Sequence, residues 1–146
     1  MKLRFLWLGL VLVGLMTTAG GCRMVFEPET DALARLFASL PTGDNRVVRE
    51  FCDGEKVCKN LNALAGIVRS QWYNSRGQYY QFDEIEIVEE TGYSYVHARV
   101  RMPAADGKKE TMFPMVFEME RIKLRWHIYG VQGLDEFLRR AQNARY

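Results

Sequence analysis

The chain has 146 residues, of which 48% are hydrophobic and 26% charged, the size and composition of one ordinary globular domain. Its formal net charge is +2, from 20 basic and 18 acidic residues, so no excess of positive charge points to nucleic acid. This composition also argues against a disordered chain and against a membrane protein with several spanning helices.

The first part of the chain has the order of residues found in an export signal. Lys2 and Arg4 precede the uninterrupted apolar run Phe5–Met16, and small residues then lead to Cys22. A basic start, an apolar stretch and small residues are typical of a secretory signal peptide. The apolar run is shorter than the roughly 20 residues that cross a bilayer as a helix.

The segment Ala19-Gly20-Gly21-Cys22 resembles the lipobox of bacterial lipoproteins, although Ala19 stands where that family most often has Leu. The resemblance implies that residues 1–21 are removed as a lipoprotein signal peptide and that Cys22 is acylated. Residues 22–28 would then be a lipidated tether, and residues 29–146 a single domain. Ordinary cleavage near Ala19 or Gly21 and an uncleaved membrane anchor are the alternatives.

The same resemblance bears on location and charge. Arg23 follows Cys22 where an Asp would imply retention in the inner membrane of a Gram-negative bacterium, so the implied location is the outer membrane, facing the periplasm. Removal of residues 1–21 takes away two basic residues and no acid, which leaves 18 residues of each sign. The mature chain is expected to be neutral and to reach the membrane through its lipid.

Two further cysteines, Cys52 and Cys58, lie six positions apart with a polar, Gly-containing segment between them. Exported proteins oxidise such pairs, which favours a disulfide. Two free thiols or half of a metal site are the alternatives. A zinc site needs four ligands at suitable spacings, and the sequence offers no such set, so we expect no metal and no other cofactor.

Apolar spacing predicts helices in the first half of the mature chain and at its end. The first begins near Pro28–Thr30, the second is capped by Asp44, the third follows the cysteine pair, and a short one closes the chain over Asp135–Arg145. The residues on their apolar faces are Leu33, Leu36, Phe37 and Leu40, then Val47, Val48 and Phe51, then Leu61, Leu64, Ala65, Val68 and Trp72.

From Gln78 the apolar residues alternate, which predicts four long antiparallel strands with one face in the core and the other in water. The fold class is therefore α+β, with N-terminal helices packed on a four-stranded sheet. Turns at Thr91-Gly92 and Asp106-Gly107 would connect the first three strands, and a third turn lies near Arg121–Lys123.

These turns fix the expected strand registers. The first hairpin would pair Ile87 with Val96 on the core face, and Glu86 with His97 and Glu84 with Arg99 on the wet face. The second would pair Val100 with Phe113 and Ala98 with Met115. We expect the acidic and arginine side chains of the wet face to form a solvated charge ladder.

The order of these elements, with a Gly43-Asp44 turn after the first helix and a last hairpin that carries Trp126, resembles the nuclear transport factor 2-like, or cystatin-like, superfamily. The similarity spans roughly Glu29–Gln132 and is closest to small bacterial lipoproteins of unknown function. It implies a curved sheet wrapped around the helices, with an apolar pocket in the resulting cone. The candidate lining residues are Val100, Phe113, Met115, Phe117 and Trp126.

Two sets of polar residues are candidates, one for a metal site and one for catalysis. His97 and His127 share the predicted wet face, but a strand separates them, so one ion cannot bind both. The ketosteroid-isomerase branch of the superfamily uses a carboxylate base inside the cone, and Asp83, with Tyr79, has core-facing parity here. The alternative is that Asp83 lies at a strand start and reaches solvent.

The functional expectation is a non-enzymatic, lipid-anchored envelope protein that serves as an interaction module for another envelope protein. One alternative is a carrier of a small apolar ligand in the cone. A second is an isomerase or dehydratase that uses Asp83.

Overall fold

The computed structural model describes residues 26–72, 78–89, 91–103 and 111–144. The expected signal peptide, Cys22 and the Asp106-Gly107 turn lie outside these residues. The described residues form four α-helices and one antiparallel sheet of strand order β1-β2-β3-β4, which confirms the α+β class. The elements are α1 (Glu29–Ser39), α2 (Asn45–Phe51), α3 (Glu55–Trp72), β1 (Tyr80–Val88), β2 (Tyr93–Met102), β3 (Thr111–Ile122), β4 (Arg125–Gln132) and α4 (Leu134–Asn143).

The first two helices begin where the sequence predicts. Pro28 precedes α1, and its fixed φ suits the start of a helix. A short 3-10 turn, Leu40–Thr42, follows α1. The Asp44 side chain then accepts a hydrogen bond from the backbone N–H of Arg46 at 3.0 Å, which confirms Asp44 as the N-cap of α2.

A disulfide between Cys52 and Cys58 joins the end of α2 to the first turns of α3, as predicted. The Cα atoms of the two cysteines are 5.0 Å apart. Helix α3 begins at Glu55, inside the segment between the cysteines and earlier than the apolar spacing suggested. The bridge therefore holds the sharp connection between two consecutive helices.

The predicted register of the second hairpin is confirmed. Val100 faces Phe113, and Ala98 faces Met115. The third hairpin closes through Lys123 and Leu124, because Ile122 pairs with Arg125. Lys123 has a φ of 59°, a conformation that Gly or Asn usually supplies in a two-residue turn.

The predicted register of the first hairpin is wrong by one step on each strand. Ile85, rather than Ile87, faces Val96, and Ile87 faces Ser94. The physical reason is the length of the connection: β1 ends at Val88 and β2 begins at Tyr93, so four residues, not two, join them. Correspondingly, the residue opposite His97 is Glu84.

A β-bulge interrupts β1 between Phe82 and Glu84. Before the bulge, Tyr80 and Phe82 pack against the core, whereas after it the odd-numbered Ile85 and Ile87 share the inner face with β2. One extra residue on one strand reverses which parity points inward. A single alternation therefore does not describe the whole of β1.

One hydrophobic core lies between the helices and the inner face of the sheet. Phe37 of α1 stacks on Tyr80 with 4.4 Å between ring centroids and meets Phe117 edge-on at 5.4 Å. The end of α2 also touches the edge of β4, where the Asp53 N–H donates to the Ile128 carbonyl at 2.9 Å. The helices thus cover the inner face and leave the outer face of the sheet open.

Candidate functional site

The five predicted pocket residues all lie on the inner face of the sheet. Val100, Met115, Phe117 and Trp126 are buried, and Phe113 is partly buried against the core. The Phe113 ring meets Phe137 of α4 at 5.8 Å, and Trp126 Nε1 donates to the Glu27 carbonyl at 3.0 Å. Phe113 thus contacts α4, and Trp126 is held by the segment before α1; a ligand carrier stays a prediction.

Asp83 does not occupy the position expected of a base inside the cone. Its carboxylate receives two hydrogen bonds from the Arg99 guanidinium, at 2.7 and 2.8 Å. Arg99 belongs to the outer face of the sheet. The Asp83 side chain reaches that face because Asp83 is the extra residue of the β1 bulge. The prediction of core-facing parity for Asp83 is therefore wrong, while Tyr79 is buried as expected and donates its hydroxyl hydrogen to the Phe37 carbonyl.

The two histidines lie far apart on the outer face. His97 faces Val116 and His127 faces Glu120 on the strand between them, an offset of roughly 13 Å along β3. Within the ranges that the structure describes, no group of three or more His, Cys, Asp or Glu side chains is placed to hold a metal ion.

The charge ladder of the outer face differs from the predicted one. Arg99 pairs with Asp83 instead of Glu84. Glu118 accepts a hydrogen bond from the Gln132 side chain at 2.5 Å. The bulge in β1 and the corrected register of the first hairpin explain why Arg99 changes its partner.

Three tyrosines of the outer face lie close together, near the end of the sheet where the connection joins β1 to β2. Tyr93 and Tyr95 belong to β2, and Tyr129 belongs to β4. The rings of Tyr93 and Tyr129 meet edge-on with 5.6 Å between centroids, and the Tyr129 hydroxyl donates to that of Tyr95 at 3.4 Å. With Glu120 they line an open groove.

A second bulge delivers Tyr129 to this position. Glu118 pairs with Gly130, whereas the next residue, Met119, pairs with Ile128, so Tyr129 is the extra residue on β4. Gly130 also makes room for Glu118, because a Cβ atom at Gly130 would overlap the Glu118 carboxylate. We name Tyr93, Tyr95, Tyr129, Glu118 and Glu120 the tyrosine surface.

Two phenols of this surface have raised pKa values, those of Tyr93 and Tyr129. The negative charge of Glu120 is the main cause that raises the pKa of Tyr93. Partial burial, followed by the hydrogen bond to Tyr95, raises the pKa of Tyr129. The hydroxyls of Tyr93 and Tyr129 are therefore protonated at neutral pH and lie beside the carboxylates of Glu118 and Glu120. Together with the aromatic faces, this arrangement suits cationic side chains.

The tyrosine surface was not predicted from the sequence. The alternation pattern places Tyr95 and Tyr129 on the water-facing side of their strands. Three aromatic residues near water-facing positions of a sheet would have been the available signal. Their convergence depends on the β4 bulge, which the alternation pattern does not reveal.

Comparisons with known proteins leave function to be argued from this geometry. No family model, no curated protein and no solved structure matches the chain. None of the described helices combines the length and the apolar character needed to cross a membrane.

Proposed function

We propose that the chain is a non-enzymatic envelope protein, anchored by an acylated Cys22, that binds a partner protein on the tyrosine surface. The observation that carries the proposal is the group of three tyrosines on the outer face of the sheet, with two of them in edge-on contact and a third joined by its hydroxyl. The α+β domain supplies the rigid support, and the lipid would supply the location.

The composition of the tyrosine surface favours a protein partner. Tyrosine is enriched at protein interfaces because it buries a large apolar ring and keeps a polar tip. The two glutamates add acceptors that an Arg or Lys of the partner can reach. A basic segment that stacks on Tyr95 or Tyr129 and pairs with Glu118 or Glu120 is the occupant that this chemistry favours.

Two observations support a location in the cell envelope. The Cys52–Cys58 disulfide suits a protein that folds in an oxidising environment. Cys22 also precedes Phe26, the first described residue, by only four positions. A lipid on Cys22 would therefore hold the domain close to the bilayer, where an envelope partner would meet it.

The test combines crosslinking in intact cells with variants of the surface. The full chain would be expressed in a Gram-negative bacterium, crosslinked, and purified from solubilised membranes. Substitution of both Tyr95 and Tyr129 by Ala is expected to lower recovery of a reproducible partner at least about tenfold, because buried tyrosines dominate such interfaces.

Gln81→Ala is the matched control, since Gln81 is exposed at the far end of the same face. Recovery that is equal for the tyrosine variant and the control would contradict the docking site. The anchor is tested separately by intact mass: a chain that keeps residues 1–21 and carries no acyl group would contradict the lipoprotein assignment.

A further inference from the structure

Large apolar side chains that remain exposed gather at one end of the sheet. Phe26 is 46% exposed, Ile87 51% and Leu124 58%. The β1–β2 connection and the β3–β4 turn lie at this end, where the Arg121 N–H donates to the Gly92 carbonyl at 3.0 Å. The Arg121 guanidinium also lies 4.9 Å from the centre of the Phe26 ring. Three separate segments therefore meet at one apolar rim.

The most prominent part of this rim is the turn between β3 and β4. Its sequence is Arg121-Ile122-Lys123-Leu124-Arg125, and all five residues are exposed. Basic and apolar residues alternate, so that two large aliphatic side chains project between three cations. We call Arg121–Arg125 the basic hairpin tip.

Acidic residues also lie near the tip. Glu120 faces Tyr93 on the outer face, and Glu89 belongs to the β1–β2 connection. Between Arg121 and Arg125 themselves there is no acid. The tip alone therefore carries three positive charges, although the mature chain as a whole is formally neutral.

We propose that the basic hairpin tip inserts into the surface of an anionic phospholipid bilayer. Ile122 and Leu124 would enter the boundary between headgroups and acyl chains, and the flanking cations would lie at the phosphates. Juxtamembrane basic residues are attracted to anionic lipid in this way. Leu124 is 58% exposed, which leaves most of its surface available.

The position of the tether makes a bilayer the favoured occupant. This step rests on the proposed acylation of Cys22. Four residues span at most roughly 14 Å, so a lipid on Cys22 keeps Phe26 within that distance of the membrane. Phe26 lies on Arg121 of the tip. The anchor and the tip would therefore reach the same surface.

A photoreactive probe distinguishes lipid from protein as the occupant. A benzophenone-bearing amino acid would replace Leu124 in the full chain, expressed in a Gram-negative bacterium, and the isolated membranes would be irradiated. Thr111 is the control position, because it is exposed at the start of β3, roughly 35 Å from the end of that strand which leads into the tip. Mass spectrometry of the adducts is expected to show at least about tenfold more phospholipid attached at position 124 than at 111.

A second pair of variants tests the role of charge. Lys123→Glu combined with Arg125→Glu is expected to lower the phospholipid adducts of the probe at 124 about tenfold, because two attractions to anionic lipid become repulsions. Lys59→Glu with Arg49→Glu makes the same change of net charge on exposed helix positions and should leave the yield unaltered.

The outcomes separate this inference from the proposed function. An acylated chain whose probe at 124 captures no phospholipid, or captures protein or a second copy of the chain instead, overturns the membrane-inserting tip and leaves the anchor intact. A chain without acyl groups whose probe captures phospholipid keeps the tip and removes the anchor. The absence of both overturns both.

Discussion

Two buried hydroxyl groups have opposite hydrogen-bonding states. Ser94 on β2 is fully buried, and its hydroxyl has no hydrogen-bond partner among the described residues. Tyr79 is also buried, but its hydroxyl donates to the Phe37 carbonyl. A buried polar group costs free energy when it is unpaired and stabilises modestly when it is paired. The two residues should therefore respond oppositely when the hydroxyl is removed.

We predict that Ser94→Ala raises the free energy of unfolding by about 1 kcal/mol, because it removes an unpaired buried hydroxyl. Tyr79→Phe should lower it by about 1 kcal/mol, because it removes a paired one. Urea unfolding followed by circular dichroism measures both. A decrease for Ser94→Ala would mean that its hydroxyl is satisfied in solution, and an unchanged Tyr79→Phe would remove the role given to its hydrogen bond.

At the scale of elements, the strand register was predicted correctly where the turn residues and the alternation of apolar residues agree. Both strands of the β2–β3 hairpin keep one parity over their whole length, and their register is as expected. The predicted register of the β1–β2 hairpin is wrong because its connection has four residues and because Asp83 forms a bulge. Bulges depend on tertiary packing and leave no clear mark on hydrophobic periodicity.

The candidate site was less predictable for the same reason. The disulfide followed from the spacing of two cysteines, whereas the tyrosine surface needs a bulge that turns Tyr129 toward Tyr95. Asp83 was misplaced by the other bulge. At Asp83 a single extra residue changed which face the side chain reaches, whereas Tyr129 keeps the water-facing side that the alternation predicts.

The disulfide gives a prediction for the α2–α3 connection. Replacing both Cys52 and Cys58 by Ser should lower the free energy of unfolding by about 2 kcal/mol, because the short loop gains freedom in the unfolded chain. Urea unfolding with and without a reductant measures this. The wild-type protein should lose the same amount on reduction and the double variant nothing, so equal stability of the oxidised and reduced wild-type protein would contradict the prediction.

At the scale of the whole molecule, each region of the sheet has a different relation to its surroundings. Helices cover the inner face, the end of α2 approaches the edge of β4, and the tyrosine surface occupies the outer face. The basic hairpin tip projects from the end next to that surface. A partner on the tyrosine surface would thus dock beside the membrane if the tip inserts there, which joins the two proposals in one orientation.

Among the described residues, β1 and β4 each have a strand neighbour on one side only, but β4 also forms a bridge with Cys52 through Ile128. Exposed edges invite pairing with a second chain, and charged side chains and bulges oppose it. β1 carries both devices: a bulge at Asp83, and the exposed acids Glu84 and Glu86. Like charges on two such edges would repel each other if two copies approached.

We therefore predict that Glu84→Thr combined with Glu86→Thr promotes self-association through β1, because threonine favours strands and removes the repulsion. Sedimentation velocity of the detergent-solubilised full chain should show a mean mass that rises more steeply with concentration in this variant than in the wild type. Asp53→Thr with Glu55→Thr removes the same charge from exposed positions at the start of α3 and should behave as the wild type. Equal behaviour of both variants would show that net charge, and not the β1 edge, controls association.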